Sequence, residues 1–283
     1  MPSERIKRCE NLLLISALII GTLILGIGGG LYGERGFYRV LPFDNAGIEI
    51  LLVFALIIIA SILGGLFLGY VLGPLFLLIH KSIIGRRMVY VIQEKPEPEI
   101  LKATFKTFFP ALLAVHLALL LGFNQRIIQT VVVDPKGLYA PTLTIILLII
   151  GTSFLSFSLF SPIWFLTDAG IIYSNRETVK DKRAPIEVKS VGGWFMGQLR
   201  GYAAIAVVVT YITFFIEMVI WFGSDVNFTA IAVLLLFPFI LAVLGFPTII
   251  LLEFTVNHRK KFMLKVAEKM GITIKVGDPL KEL

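Results

Sequence analysis

The stretch Gly73-Pro74-Leu75-Phe76-Leu77-Leu78-Ile79-His80 closes a long apolar run of this 283-residue chain, and its pattern occurs three times. The second copy runs from Ser161-Pro162 to Asp168, and the third runs from Phe246-Pro247 to Glu253. In each copy a titratable side chain stands six residues after the proline, and the prolines are 88 and 85 residues apart (162 − 74 and 247 − 162). Recurrence at a near-constant period indicates an internal repeat.

The composition predicts that most of the chain is embedded in lipid. It is 57% hydrophobic and 16% charged, with a mean hydropathy of +0.89, whereas about a quarter of a soluble domain is charged. Six apolar runs approach the roughly 20 residues that a helix needs to cross the hydrocarbon core. These runs are about 11–33, 48–72, 105–123, 140–161, 200–222 and 228–246.

The predicted fold is an all-α multi-pass membrane protein with six transmembrane helices in three tandem two-helix repeats. The repeats span 1–92, 93–180 and 181–256, and a basic tail covers 257–283. A proline inside a helix removes one backbone donor and clashes with the preceding turn. Each repeated proline is therefore predicted to break the even-numbered helix at its cytoplasmic end, after which the chain runs along the membrane surface.

The distribution of basic residues predicts the orientation. Of the 26 Lys and Arg residues, 22 lie within 1–10, 80–106, 173–200 and 257–283, on one side of the predicted membrane. By the positive-inside rule both termini are cytoplasmic, and we expect a multi-pass protein of the plasma membrane. The predicted counter-charge is anionic lipid head groups rather than nucleic acid.

Two further patterns predict contacts. Gly65, Gly69 and Gly73 form a small-residue ridge, which favours close packing within the first hairpin and leaves a contact between subunits open. In the tail, Gly271 is predicted to cap a helix. A short strand then follows at 272–276, with the β-rich segment 88–92 as its candidate partner.

Titratable residues inside spans are costly and therefore indicate function. His116 falls within the third run and Glu217 near the outer end of the fifth, so both are candidates for proton transfer or for lining a permeation path. The alternative for His116 is a neutral ring bonded to a neighbouring helix. The alternative for Glu217 is a position at the membrane surface, or an ion pair with Arg126.

The repeat makes His80, Asp168 and Glu253 equivalent positions. If the hairpins surround a common axis, these side chains converge near the cytoplasmic face as a candidate site for a divalent metal, which accepts such a ligand set. The simpler alternative is that each residue marks the point where its helix leaves the lipid. No cofactor is implied.

The sequence leaves the activity open between two classes. One is a channel or transporter for an ion or small solute, and the other is a non-transporting scaffold or complex subunit that binds partner proteins, anionic lipids or further copies of the chain. No catalytic motif is present, which disfavours an enzyme. The six predicted helices and the tripartite repeat resemble the mitochondrial carriers. In that family an acidic residue stands two residues after a repeated proline, whereas here the titratable residue stands six residues after it, so the chain is not predicted to be a member. Asn227 begins a glycosylation sequon, with no prediction of whether it is used.

Overall fold

The computed structural model describes residues 46–92, 100–123, 140–175, 188–221, 236, 238–243 and 245–272, which are mostly helical. The α-helices are α1 (Ala46–Ile62), α2 (Leu68–Ile84), α3 (Ile100–Ala118), α4 (Ala140–Asp168), α5 (Val191–Ile216), α6 (Phe246–Phe254) and α7 (Val256–Lys269). Three π-helical segments join α1 to α2 and extend α3 and α5: Leu63–Phe67, Leu119–Phe123 and Glu217–Trp221. The strands are β1 (Met88–Ile92), β2 (Ile171–Asn175) and β3 (Lys189–Ser190).

Several of these helices are long and apolar enough to cross a membrane. Within the described residues they are Phe54–Arg87, Ile149–Asp168 and Val191–Ile216. A fourth candidate is the pair Pro238–Phe254 and Val256–Lys269, which is bent by 67°. These helices indicate a membrane-embedded protein, with three candidate spans or four within the described residues. The count of six, the threefold repeat and the side of the termini remain predictions. The expected first span, 11–33, lies outside the described residues, as does most of 228–246.

The helix α4 lies at the centre of the bundle. Its side chains Phe157, Phe160, Trp164 and Phe165 are buried, and α1, α2, α3, α5 and α7 all pack against it. A helix that is apolar all round belongs in such a central position, because it has no polar face to expose.

The described neighbours of the predicted ridge lie on three helices: Gly69 faces α4, Gly65 lies against Leu252 of α6, and Gly73 lies against α7. A Cβ on Gly69 would lie 2.8 Å from the Phe165 ring, and one on Gly64 would lie 2.5 Å from the carbonyl oxygen of Phe154. At the other end of the ridge, Gly73 faces the Met263 side chain of α7. We call Gly64, Gly65, Gly69 and Gly73 the closed ridge.

The prediction that each repeated proline breaks its helix is wrong for two of the three. Pro74 lies inside α2 and Pro162 inside α4, whereas Pro247 stands in the first turn of α6. A proline inside a helix costs about 3 kcal/mol. The turns that follow Pro74 and Pro162 bury Leu77 and Phe165 completely, and this packing keeps both helices intact.

A small antiparallel sheet, in the order β1-β2-β3, closes one end of the bundle and corrects the all-α prediction. Segment 88–92 is indeed a strand, and among the described residues it pairs with β2, with Tyr90 opposite Tyr173. Its pairing with 272–276 remains a prediction. Residues 273–276 lie outside the described part of the chain. The turn from α4 into β2 passes through Gly170 at φ 67°, a conformation that glycine adopts without strain. We call this end, where α2 and α4 finish and α5 begins, the basic end.

The helix α7 runs alongside α2 towards the basic end. Its residues Phe262 and Met263 contact Tyr70 and Gly73, and the Lys81 ammonium donates to the carbonyl oxygen of Met270. The predicted cap is confirmed: Gly271 has φ 72°, and the amide of Ile272 bonds to the carbonyl oxygen of Ala267.

Candidate functional site

The basic end contains a fully buried arginine between two carboxylates. The Nη2 atom of Arg259 lies 3.1 Å from Oδ2 of Asp168 and 3.9 Å from Oε2 of Glu253. Its guanidinium also lies over the rings of Trp164 and Phe165, at 4.5 and 5.2 Å from their centroids. Asp168 ends α4, Glu253 belongs to α6 and Arg259 belongs to α7.

The structure places the three candidate metal ligands, His80, Asp168 and Glu253, in two different surroundings. Asp168 and Glu253 both face the guanidinium of Arg259. His80 instead lies against the sheet. Within the described ranges, no three His, Cys, Asp or Glu side chains are grouped so that they could hold a metal ion.

Burying three ionisable groups has a large desolvation free energy, which the fold must offset by a precise geometry. Moving one ion out of water costs several kcal/mol even after relaxation, and only good geometry repays it. Arg259 cannot lose its proton, and its planar fork and aromatic-facing surface suit a buried pair. The arrangement therefore fixes the angle between α6 and α7 and holds α7 against α4.

His80 lies in an aromatic cage under the sheet. Its Nδ1 is 2.9 Å from the hydroxyl of Tyr90, and the rings of Tyr173 and Trp194 approach it edge-on at 4.6 and 5.2 Å between centroids. Burial, with a smaller contribution from Tyr173, raises the pKa of Tyr90 to about 12. Tyr90 therefore stays neutral at physiological pH and joins β1 to α2.

His116 lies inside the bundle, between α3 and α5. Its Nδ1 is 2.6 Å from the carbonyl oxygen of Leu112, so Nδ1 carries the proton and donates. Its Nε2 has no hydrogen-bond partner among the described residues, and neither has the hydroxyl of Tyr211, whose ring lies 5.8 Å away. The neighbouring Thr210 hydroxyl donates to its own helix at Ala206 and reaches the carbonyl oxygen of His116 at 3.4 Å.

Two further buried hydroxyls, on α1 and α6, also lack a described hydrogen-bond partner. Ser61 on α1 and Thr248 on α6 are fully buried, and neither has a hydrogen-bond partner in the described part of the chain. Each stands one turn before a residue of a contacting pair, Gly65 and Leu252.

Glu217 begins the π-helical segment that extends α5, at the end of the bundle away from the basic end. It is half-buried. Its predicted partner, Arg126, lies outside the described residues, so both interpretations of Glu217 remain predictions.

Arg259 is the main site residue that the sequence reasoning misses. In the sequence it belongs to the run Arg259-Lys260-Lys261 and is taken as part of a solvated basic cluster. Its position among Val256, Met263 and Ala267, three or four residues apart, places it on the apolar face of a helix. That spacing is the signal that identifies it.

No protein-family model matches the chain, and neither a curated protein nor a solved structure is significantly similar to it.

Proposed function

We propose that the protein is a channel or transporter for a proton, a small cation or a small polar solute. The observation that carries the proposal is the set of buried polar atoms without a described partner on four helices around α4. They are the Ser61 hydroxyl, the His116 Nε2, the Tyr211 hydroxyl and the Thr248 hydroxyl.

The physical argument is that such atoms are costly inside a bilayer. An unsatisfied polar group in hydrocarbon costs several kcal/mol, because no lipid atom can bond to it. A native fold that keeps such groups at depth satisfies them with water or with a passing solute. His116 would be the station for a proton, since its Nδ1 already donates and its Nε2 is left as the acceptor.

Flux into liposomes tests this proposal. Purified protein should carry protons or potassium above the level of protein-free liposomes. His116→Phe should reduce that flux about tenfold, because it removes the buried imidazole on α3. The matched control is Ser82→Ala, which removes an exposed hydroxyl bonded to its own helix. Absence of flux in every preparation would refute the permeation proposal.

A membrane scaffold is the second candidate, and the Arg259 cluster favours it. A buried, geometrically demanding ion pair serves to fix one arrangement of α4, α6 and α7, which suits a rigid platform for partners. Hydrogen exchange distinguishes the two candidates. A scaffold predicts that α7 amides are as protected as those of α4, with or without an ion gradient, whereas a transporter predicts that the gradient changes α7 protection.

A further inference from the structure

We propose that Arg200 of α5 and Lys106 of α3 together bind the phosphate of an anionic lipid head group at the basic end. This inference goes beyond the proposed function, because it concerns the lipid-facing surface rather than the interior. It would hold for a channel and for a scaffold alike.

The two cations stand on neighbouring helices, α5 and α3, whose register places them at the same level. The Thr210 hydroxyl of α5 reaches the carbonyl oxygen of His116 on α3, a difference of 94 in residue number. The same difference places Arg200 level with Lys106. The guanidinium of Arg200 lies 4.6 Å over the ring of Phe109, one turn from Lys106, which supports that alignment.

Both side chains are available to a ligand. Arg200 and Lys106 are exposed, and neither forms an ion pair with any described residue. Two of the described carboxylates, Asp168 and Glu253, are buried against Arg259 instead. Within the described ranges, no carboxylate neutralises Arg200 or Lys106.

The geometry of Arg200 suits a phosphate. Its guanidinium lies over the Phe109 ring, an arrangement in which a planar group can stack and keep its N–H donors free, and those donors match a phosphate in a bidentate way. Gly197 and Gly201, on either side of it along α5, are exposed and have no described atom within 4 Å of an added Cβ. A head group can thus approach the helix backbone closely.

The position along α5 identifies the phosphate as that of a lipid. Directly beyond Arg200 the exposed face becomes apolar, with Tyr202, Ile205 and Val208 at 61%, 62% and 58% exposure. On the other side stand the exposed Gln198 and Lys189. Arg200 therefore marks the boundary between hydrocarbon and water, where the phosphates of a bilayer lie and where anionic lipids attract basic side chains.

Competition between spin-labelled lipids on the full-length protein tests the site. We expect an association about tenfold stronger for phosphatidylglycerol than for phosphatidylcholine, and a ratio below about twofold in Arg200→Gln/Lys106→Gln. The control Lys269→Gln removes an exposed cation of α7 and should keep the wild-type ratio. Arg200→Lys keeps the charge but loses the fork, so its ratio should be intermediate.

Three results would overturn the proposal. One is an unchanged ratio in the double variant, or in Lys106→Gln alone should the double variant fail to fold. Another is displacement of phosphatidylglycerol by millimolar inorganic phosphate, which would identify a free anion as the ligand. The third is an equal loss in Lys269→Gln, which would indicate diffuse surface charge. Liposome flux is measured separately, so failure here leaves the permeation proposal unaffected.

Discussion

Two glycine ridges of the same spacing have different surroundings. The closed ridge ends with Gly65, Gly69 and Gly73, and an added Cβ at Gly65 or Gly69 would meet a neighbouring helix within 3 Å. On α5, Gly193, Gly197 and Gly201 repeat the same four-residue interval, and we call them the open ridge. All three are exposed, and an added Cβ on the last two has no described neighbour within 4 Å.

The difference shows that the four-residue spacing of glycines allows close approach to a helix but does not determine which group approaches. Small residues at every fourth position allow something to come close to a helix in lipid. Other residues decide the partner. Phe165 and Met263 pack on the closed ridge, whereas no described atom lies within 4 Å of a Cβ added to Gly197 or Gly201 of the open ridge. A glycine motif in a span therefore predicts that something can approach the helix closely, but it does not predict that the neighbour is a protein helix.

The largest expected effect concerns Arg259, which holds α7 over the end of the closed ridge. Arg259→Gln would leave Asp168 and Glu253 buried without a cation and should lower the free energy of unfolding by about 3–5 kcal/mol. Denaturation in detergent micelles measures it, with the exposed Lys261→Gln as the control. A loss below about 1 kcal/mol would mean that the carboxylates take up protons or water at little cost.

Gly64→Ala tests the tightest point of the closed ridge. The new methyl would lie 2.5 Å from the backbone oxygen of Phe154, which cannot rotate away, so α1 and α4 must separate. We expect a loss of up to about 3 kcal/mol in the same unfolding assay. Wild-type stability in this variant would show that the two helices are farther apart than described here.

Tyr90→Phe tests how α2, the helix of the closed ridge, is fixed to the sheet. Loss of the bond to His80 should cost about 1 kcal/mol at neutral pH. Because the pKa of Tyr90 is raised from 10.0 to about 12, its contribution is complete below pH 10 and is lost as the pH rises towards 12. The wild type should therefore lose more stability than Tyr90→Phe over that interval, and parallel curves would contradict the assignment.

Gly197→Ala on the open ridge should raise the free energy of unfolding, whereas the variants above lower it. The alanine has room, and it is favoured over glycine in a helix by about 0.5–1 kcal/mol. A small gain in the free energy of unfolding is expected. A loss above about 1 kcal/mol would show that a part of the chain outside the described residues packs on this ridge.

The smallest change is expected for Gly73→Ala. Its methyl would lie 3.2 Å from the sulfur of Met263, the flexible end of a side chain that can shift by a few tenths of an ångström. The gain in helix propensity offsets this strain, so the net change should stay within about 0.5 kcal/mol. A loss as large as that of Gly64→Ala would mean that α7 cannot adjust.

Local patterns in the sequence predict part of this architecture. The apolar runs at 48–72, 140–161 and 200–222, the strand at 88–92 and the cap at Gly271 are each set by neighbouring residues, and the structure contains each of them. Partners are a different matter. The strand pairs with β2, and Asp168 and Glu253 face an arginine, because tertiary packing decides which of several compatible contacts forms.

The prolines illustrate the same limit. Their local effect is unfavourable to a helix, and from the sequence alone a break is the expected result. The structure keeps α2 and α4 continuous because the burial of Leu77 and Phe165 depends on the turns after Pro74 and Pro162. That burial involves residues far apart in the chain, so no window around the proline contains it.

The buried arginine also sets an order on biogenesis. Asp168 is synthesised 91 residues before Arg259 (259 − 168), so α4 enters the membrane with a carboxylate whose partner does not yet exist. Until α7 emerges, that carboxylate must remain in contact with water or hold a proton. The basic end therefore closes only after Arg259 has been made, and a chain cut short before it would leave Asp168 and Glu253 without their cation at a site that excludes water.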